Sequence, residues 1–269
     1  MGKKLVIGAS GQIGVELIDK LASQHGVDQV IATDIKPKSD VYKDGVKSFQ
    51  LDVLDKTKLF DIIKDNNVSE VYLLAALLSA VSEKKIQSAW DLNMNGLFNI
   101  LELAREKHIK QVFWPSSIAV FGPSSPKKNT PQNAILEPTT VYGISKCAGE
   151  RWCDYYFKKF GVDVRSIRYP GIISYKSKPG GGTTDYAVEI FHHAIEQGFY
   201  NCFLSAHSIL PMIYIDDAIR ATLEIMMVPE SKIKIKTSYN LAGFSFSPFQ
   251  LSQEIKKIIP GFKITYYKD

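Results

Sequence analysis

Apolar residues recur along this chain in two rhythms. Short apolar runs at Lys3–Ile7, Gln29–Thr33, Lys47–Leu51, Glu70–Leu74, Gln111–Trp114 and Asp163–Arg168 have the length and continuity of strands covered on both faces. Between them, apolar positions return at the spacing of amphipathic helices: through Leu21, over Lys58–Lys64, from about Ile86 to Lys107, and onward from Tyr142. Strand and helix in alternation predict an α/β fold, a Rossmann-type doubly wound parallel sheet. Past Tyr169 the rhythm loosens. A helix is expected around Ala187, Ile190, Phe191 and Ala194, others over Ile215–Met227 and Pro248–Ile259, and a last strand over Lys263–Tyr267. Residues 1–172, with 215–243 interleaved, are expected to form the Rossmann domain, and 173–214 with 244–269 a smaller C-terminal substrate-binding lobe.

The first strand runs straight into Gly8-Ala9-Ser10-Gly11-Gln12-Ile13-Gly14 and then a helix. Glycines three apart at such a turn have separate tasks: a tight bend, close approach of backbone N–H groups to a pyrophosphate, and close packing of helix on strand. The next strand ends in Asp34, twenty residues past Gly14, where a carboxylate hydrogen-bonds the ribose hydroxyls of NAD and repels the 2′-phosphate of NADP. Lys36 and Lys38 after it also suit a plain turn. Ala75 and Ala76 follow Leu74 at the end of their strand and are small enough for a cofactor to pass close to the backbone.

Tyr142 and Lys146 stand one turn apart on one helical face. Alone, such a pair reads as a half-buried tyrosine beside a solvated lysine. Behind a dinucleotide turn it has a use. An ammonium beside a phenol favours the phenolate, and bringing a phenol from about 10 to near neutrality takes roughly 4 kcal/mol, a task for a lysine and a cationic nicotinamide together. The result is a general base that takes a proton from an alcohol while hydride leaves the same carbon. Pro115-Ser116-Ser117 follows at the end of the fifth strand, at the edge where open α/β sheets bind ligands. Asn93, inside the 86–107 helix, reads either as a brace for the active-site strand or as a satisfied buried amide. Gly180–Asp185 offers hydroxyls and backbone N–H groups at a helix start, suited to a carboxylate, with Thr184 equally readable as a plain N-cap.

Gly8-x-x-Gly11-x-x-Gly14, Ser117 and Tyr142-x-x-x-Lys146 together resemble the extended short-chain dehydrogenase/reductase superfamily. Within it, Arg168–Tyr175, Gly182–Phe191 and Tyr239–Phe246 look like the L-threonine 3-dehydrogenases related to UDP-galactose epimerase, and the likeness covers essentially the whole chain. The resemblance implies NAD-dependent oxidation of the 3-hydroxyl of L-threonine to 2-amino-3-oxobutanoate, a step of threonine catabolism, with Tyr142, Lys146 and Ser117 catalytic. It places Gly8, Ser10, Gly11, Gln12, Ile13, Gly14, Asp34, Asp52, Val53, Leu74, Ala75, Ala76, Asn93, Tyr169, Pro170 and Ile172 along the cofactor. Around the substrate it places Ser79, Ser117, Tyr142, Gly182, Thr183 and Thr184. A homodimer is also implied, pairing the helix around Trp90 to Leu103 with the Tyr142 helix; Trp152, Tyr155 and Tyr156 there exceed what one core face requires. The resembled enzymes continue past the strand matched by Lys263–Tyr267 with a Trp-bearing segment that helps close the lobe, whereas this sequence stops at Asp269. A wetter threonine site with ordinary NAD binding and poor threonine turnover is therefore expected, a partial sequence being the plain alternative.

Composition removes other classes. Charges are scattered, 33 basic against 28 acidic, with no basic tract interleaved with aromatics, so no nucleic-acid partner is expected. Cys147, Cys153 and Cys202, an odd count without a C-x-x-C, suit a reducing compartment. The histidines lack metal-ligand spacing, so no metal is expected, unlike the zinc-dependent type of threonine dehydrogenase. No run reaches membrane-spanning length, and the one behind Lys3-Lys4 stops at Gly8, too short for a signal peptide. The expected compartment is the cytoplasm, or the mitochondrial matrix if a targeting peptide has been removed. Two rival readings stand beside this one. A nucleotide-sugar epimerase or dehydratase would commonly carry an Asn in a run like Arg-Tyr-Phe-Asn, where this chain has Arg168-Tyr169-Pro170-Gly171. A non-catalytic NAD(P)-sensing regulator typically loses the Tyr/Lys pair kept here.

Overall fold

A computed structural model of the chain describes residues 2–36, 42, 44–177 and 180–267; Met1, Lys38 and Asp269 lie outside the described residues. The chain opens with β1 (Lys3–Ile7), α1 (Gln12–His25), β2 (Val30–Asp34), β3 (Lys47–Gln50), α2 (Lys56–Asp65) and β4 (Val68–Leu73). It continues through α3 (Ser79–Lys84), α4 (Ile86–Trp90), α5 (Gly96–Arg105), β5 (Gln111–Phe113), β6 (Ser116–Ser117), α6 (Val141–Phe160) and β7 (Val164–Arg165). Then come β8 (Ile167–Tyr169), β9 (Gly171–Ile173), α7 (Tyr186–Glu196), β10 (Phe199–Cys202), β11 (Leu210–Tyr214) and α8 (Ile215–Met227). The last elements are β12 (Tyr239–Asn240), β13 (Phe244–Phe246), α9 (Pro248–Ile258) and β14 (Lys263–Tyr266).

Six strands form the central parallel sheet in the order β3-β2-β1-β4-β5-β7, with the topological switch point between β1 and β4. Strand alternation divides the core into two layers. Leu5, Ile7, Val71 and Val112 face one way, onto Leu59, Ile62, Leu97, Leu101 and Cys153 of α2, α5 and α6. Val6, Ala32, Tyr72 and Phe113 face the other, onto Val15, Ile18 and Leu21 of α1 and Ile219 and Leu223 of α8. Helices on both faces are why the strands read as unbroken apolar runs. The lobe has its own core of Tyr186, Ile190, Tyr200, Met212, Ile255 and Phe262, built from α7, α9 and the β10-β14 pair.

Two elements differ from the sequence expectation. The run at 163–168 divides at Ser166: β7 stays in the main sheet, while β8 leaves it to pair with β6 and β12. The helix expected over 86–107 is α4 and α5 joined by a π-helical turn, Asp91–Asn95, and the short α3 precedes it. One added residue in that turn swings Asn93 out of the helical face toward Leu77.

Candidate active site

The Tyr142 helix is fixed at both ends: the Thr140 side chain accepts from the Gly143 N–H at 3.0 Å, and Gly161 closes it in the left-handed conformation at φ 68°. Its first turn meets the end of β6, which brings the Tyr142 side chain beside Ser117. One turn on, Lys146 is 3% exposed and donates from Nζ to the Pro115 carbonyl at 2.6 Å. That Nζ lies 5.6 Å from the Tyr142 ring centre. Residues from β6 and α6 thus meet at one edge of the sheet.

Burial dominates the electrostatics of this pair. Burial pushes Tyr142 up to about 12, and the neighbouring Ser117 hydroxyl offsets this only in part. Burial also pushes Lys146 down to about 7. Burial thus disfavours both the phenolate and the ammonium that the sequence reading asks of the pair.

Behind the three residues lies a buried network that the sequence analysis did not single out. Glu150, fully buried on the same helical face one turn past Lys146, accepts from Ser116 Oγ at 2.6 Å and from Arg168 Nε and Nη2 at 2.8 and 2.7 Å. Arg168 Nη1 also donates to Asn240 Oδ1 at 2.9 Å and to the Gln132 carbonyl at 3.2 Å. The network ties α6 to β6, β8 and β12. The signal was present, since 142, 146 and 150 share one helical face, but its partner stands on a strand whose position sequence does not give.

Asn93 is a satisfied buried amide, its bonds going to Leu77 and α6 and not to the strand that carries Ser117. Its Oδ1 accepts from Leu77 N at 2.9 Å, and Nδ2 donates to the Leu77 carbonyl and to Ser145 Oγ, both at 3.2 Å. It braces the segment after β4 against α6, so its side chain is engaged by protein rather than offered to a cofactor.

The glycine turn is shaped by close approach. Gly8 has φ 87°, and a Cβ there would lie 2.6 Å from Ala75 N; a Cβ on Gly14 would lie 2.4 Å from the Gly8 carbonyl oxygen. Gly11 faces outward, where a Cβ would meet the Gly8 oxygen at 3.3 Å. The α1 helix starts there with no side-chain cap and no acid in its first turn, leaving Gln12, Ile13 and Gly14 N–H groups suited to an anion. Asp34 is oriented at the end of β2 by Ser10 N on Oδ2 (2.9 Å) and Lys36 N on Oδ1 (3.1 Å). An uncapped helix start with a fixed carboxylate beside it is the donor and acceptor set that NAD requires. Leu74, Ala75 and Ala76 line this side half-buried, with Leu74 N and Ala75 N both on the Ile7 carbonyl. Gln12 Nε2 donates to the Ile172 carbonyl at 3.0 Å. Asp52 is exposed.

Other expected contacts turn inward instead. Val53 is 2% exposed and packs on Gly96 in the core. Tyr169 is 5% exposed, with its ring beside Phe113 and its hydroxyl bonded to Thr222. Pro170 is buried next to it. Strand parity explains Tyr169: once β8 pairs with β6, its outer residue faces the α8 layer.

On the substrate side, Ala80 N donates to the Gly181 carbonyl at 3.2 Å, which draws the 180–185 run across to Ser79 and α3. Gly181 N and Gly182 N both donate to Asp185 Oδ2, at 2.7 and 2.6 Å, so these are not the free donors expected for a substrate carboxylate. Asp185, not Thr184, holds the N-cap position of α7. Thr184 lies against β9, where a Cβ on Gly171 would come within 2.6 Å of its own Cβ, and Thr183 is exposed.

A glycine cradle at the switch point, an acid closing the second strand, and serine, tyrosine and lysine at the carboxyl edge define a dinucleotide-dependent Rossmann enzyme of the short-chain dehydrogenase type. More particularly, the chain belongs to the NAD dependent epimerase/dehydratase family, whose sequence profile matches residues 4–242. An uncharacterized epimerase/dehydratase of Staphylococcus aureus (strain USA300) is 46% identical over 270 residues, spanning 100% of this chain and 84% of that protein. Among solved structures, a GalE-like L-threonine dehydrogenase from Cupriavidus necator in its holo form is 51% identical with a TM-score of 0.95, over 99% of this chain and 86% of its own. A monomeric L-threonine 3-dehydrogenase of metagenomic origin in its apo form is 48% identical with a TM-score of 0.94, over 99% of this chain and 85% of its own.

Proposed function

We propose that this chain is an NAD-dependent L-threonine 3-dehydrogenase, producing 2-amino-3-oxobutanoate as a step of threonine catabolism. The observation that carries the reading is buried Lys146 with its Nζ 5.6 Å from the Tyr142 ring centre, at the strand end that carries Ser117; the two threonine dehydrogenase structures support the substrate. Ser117 holds the 3-hydroxyl of threonine, and Tyr142 takes its proton. Lys146 stabilises the phenolate and hydrogen-bonds the nicotinamide ribose. NAD, when bound, accepts the hydride and adds the positive charge that Tyr142 needs. Thr184, with Thr183 and Ser79, meets the polar groups of the amino acid. With the Gly182 N–H spent on Asp185, carboxylate recognition falls to hydroxyls. In this reading residues 1–172 with 215–243 hold the cofactor, and 173–214 with 244–269 carry the substrate lobe.

The test is NADH formation against L-threonine, L-serine and UDP-sugars. Threonine-dependent NADH is expected; epimerisation of a UDP-sugar without it would sink the reading. We place the enzyme in the cytoplasm, a compartment that suits the free thiols of Cys147, Cys153 and Cys202. Among the described residues no helix is long and apolar enough to cross a membrane.

We also propose a homodimer through the α5–α6 face. Trp90 and Trp152 are each 40% exposed and Tyr155 47%, with Trp152 edge-on to both Phe98 and Tyr155. A monomer by light scattering at micromolar concentration would remove the dimer.

A further inference from the structure

We propose that Trp114 is a positioning residue for Lys146, its indole face holding the ammonium beside the tyrosine so that no carboxylate counter-ion is needed. This rests on the dehydrogenase reading above and deepens it. Lys146 Nζ stands 4.4 Å from the centre of the Trp114 ring, and its hydrogen bond to the Pro115 carbonyl comes from the residue next to that indole. Both Trp114 and Lys146 are 3% exposed, so the ammonium has exchanged water for these two groups.

The titratable groups that face Lys146 are Tyr142, Glu150 and Cys153 of its own helix, while the segment after β5 brings the neutral Trp114 and Pro115. Glu150 favours the ammonium through its charge, but its two oxygens are bonded to Ser116 and Arg168 and not to Lys146. The physical sense of the arrangement lies in what a counter-ion would do. A carboxylate on Lys146 would cancel the positive field that Tyr142 must feel before it can lose its proton. An aromatic face and a carbonyl dipole favour the cation without adding an anion. Burial already drives the Lys146 ammonium down to about 7, so its charge at neutral pH depends on whatever holds it.

The packing is cut for this contact. A Cβ on Gly149 would lie 2.3 Å from Trp114 Cη2 and 2.5 Å from Cζ2, so α6 carries a glycine where the indole edge slides beneath the helix. The Trp114 backbone is itself pinned, its N–H donating to the Arg165 carbonyl at 3.0 Å. Trp114 and Gly149 together set the height of the ring under Lys146.

Fluorinated tryptophan tests this without changing shape. Each ring fluorine weakens the negative face while leaving the packing almost unaltered. In the full chain carrying Trp90→Phe and Trp152→Phe, Trp114 is the remaining tryptophan, and it can be replaced by tryptophan bearing zero to four fluorines. The readout is the titration of the Lys146 ε-methylene by NMR with 13C-lysine, assigned by its loss in Lys146→Met. The midpoint is expected to fall stepwise with fluorine count, by about one pH unit over the series, a tenfold fall in the ratio of ammonium to amine at a given pH. Trp114→Leu should move it the same way. A midpoint unchanged across the fluorine series overturns the proposal and leaves Trp114 a packing residue. If the midpoint falls stepwise while no variant, nor the parent, oxidises threonine, the inference stands and the assigned reaction fails.

Discussion

Arg168→Met tests the buried network under the active site, and its cost can be worked from contacts. The substitution removes the bonds to Glu150 at 2.7 and 2.8 Å and leaves a carboxylate with no exposed surface facing a methionine. Removing one partner of a buried ion pair costs about 3–5 kcal/mol, because the stranded charge keeps its desolvation penalty. Arg151, 60% exposed and 4.0 Å from Glu150, is too wet to replace the lost partner. At roughly 2–4 °C per kcal/mol for a chain of this size, the melting midpoint should fall by roughly 6–20 °C. Glu150→Met alone should be comparably costly, because it strands the guanidinium. The double variant removes both charges and should recover most of the loss, leaving about 1–2 kcal/mol for the orphaned Ser116, Asn240 and Gln132 partners. Urea and thermal unfolding of the four proteins at neutral pH give the cycle. A double variant as unstable as the two single changes added together would refute the argument, since it would show that the two charges are not coupled.

Tyr142→Phe should keep NADH affinity, read by fluorescence titration, and lower turnover by roughly 10²–10⁴ as a general base is lost; near-normal turnover removes Tyr142 from that role. Lys146 titrates near 7 in the folded protein against an ordinary value of 10.5, so between these values the unfolded chain binds the extra proton and wild-type stability rises with pH. Lys146→Met should therefore stabilise most below pH 7, with the gain shrinking as pH approaches 10, measured as urea midpoints at about pH 6 and about pH 9.5. Gly8→Ala places a Cβ 2.6 Å from Ala75 N at a φ of 87°. It should cost about 1–3 kcal/mol and weaken NAD binding more than tenfold by isothermal titration; unchanged affinity would mean that the turn does not approach the cofactor.

Sequence determined what is encoded locally. The glycine turn, Asp34 at the next strand's end and the one-turn spacing of Tyr142 and Lys146 are set by backbone geometry over a few residues, and the apolar runs marked the first five central strands to within one or two residues. Tertiary structure decided where long-range partners compete. Glu150 and Arg168 find each other only after the chain breaks at Ser166 and β8 joins β6. The same break turns Tyr169 into the core, because a side chain's face follows the strand's pairing and not its own chemistry. Asp185 takes the N–H groups of Gly181 and Gly182, which spacing alone left open to a substrate, because the folded loop brings its carboxylate within hydrogen-bond reach of both. The fit of Trp114 under Gly149 lies beyond any window of sequence, since two surfaces thirty-five residues apart must first be brought within van der Waals contact.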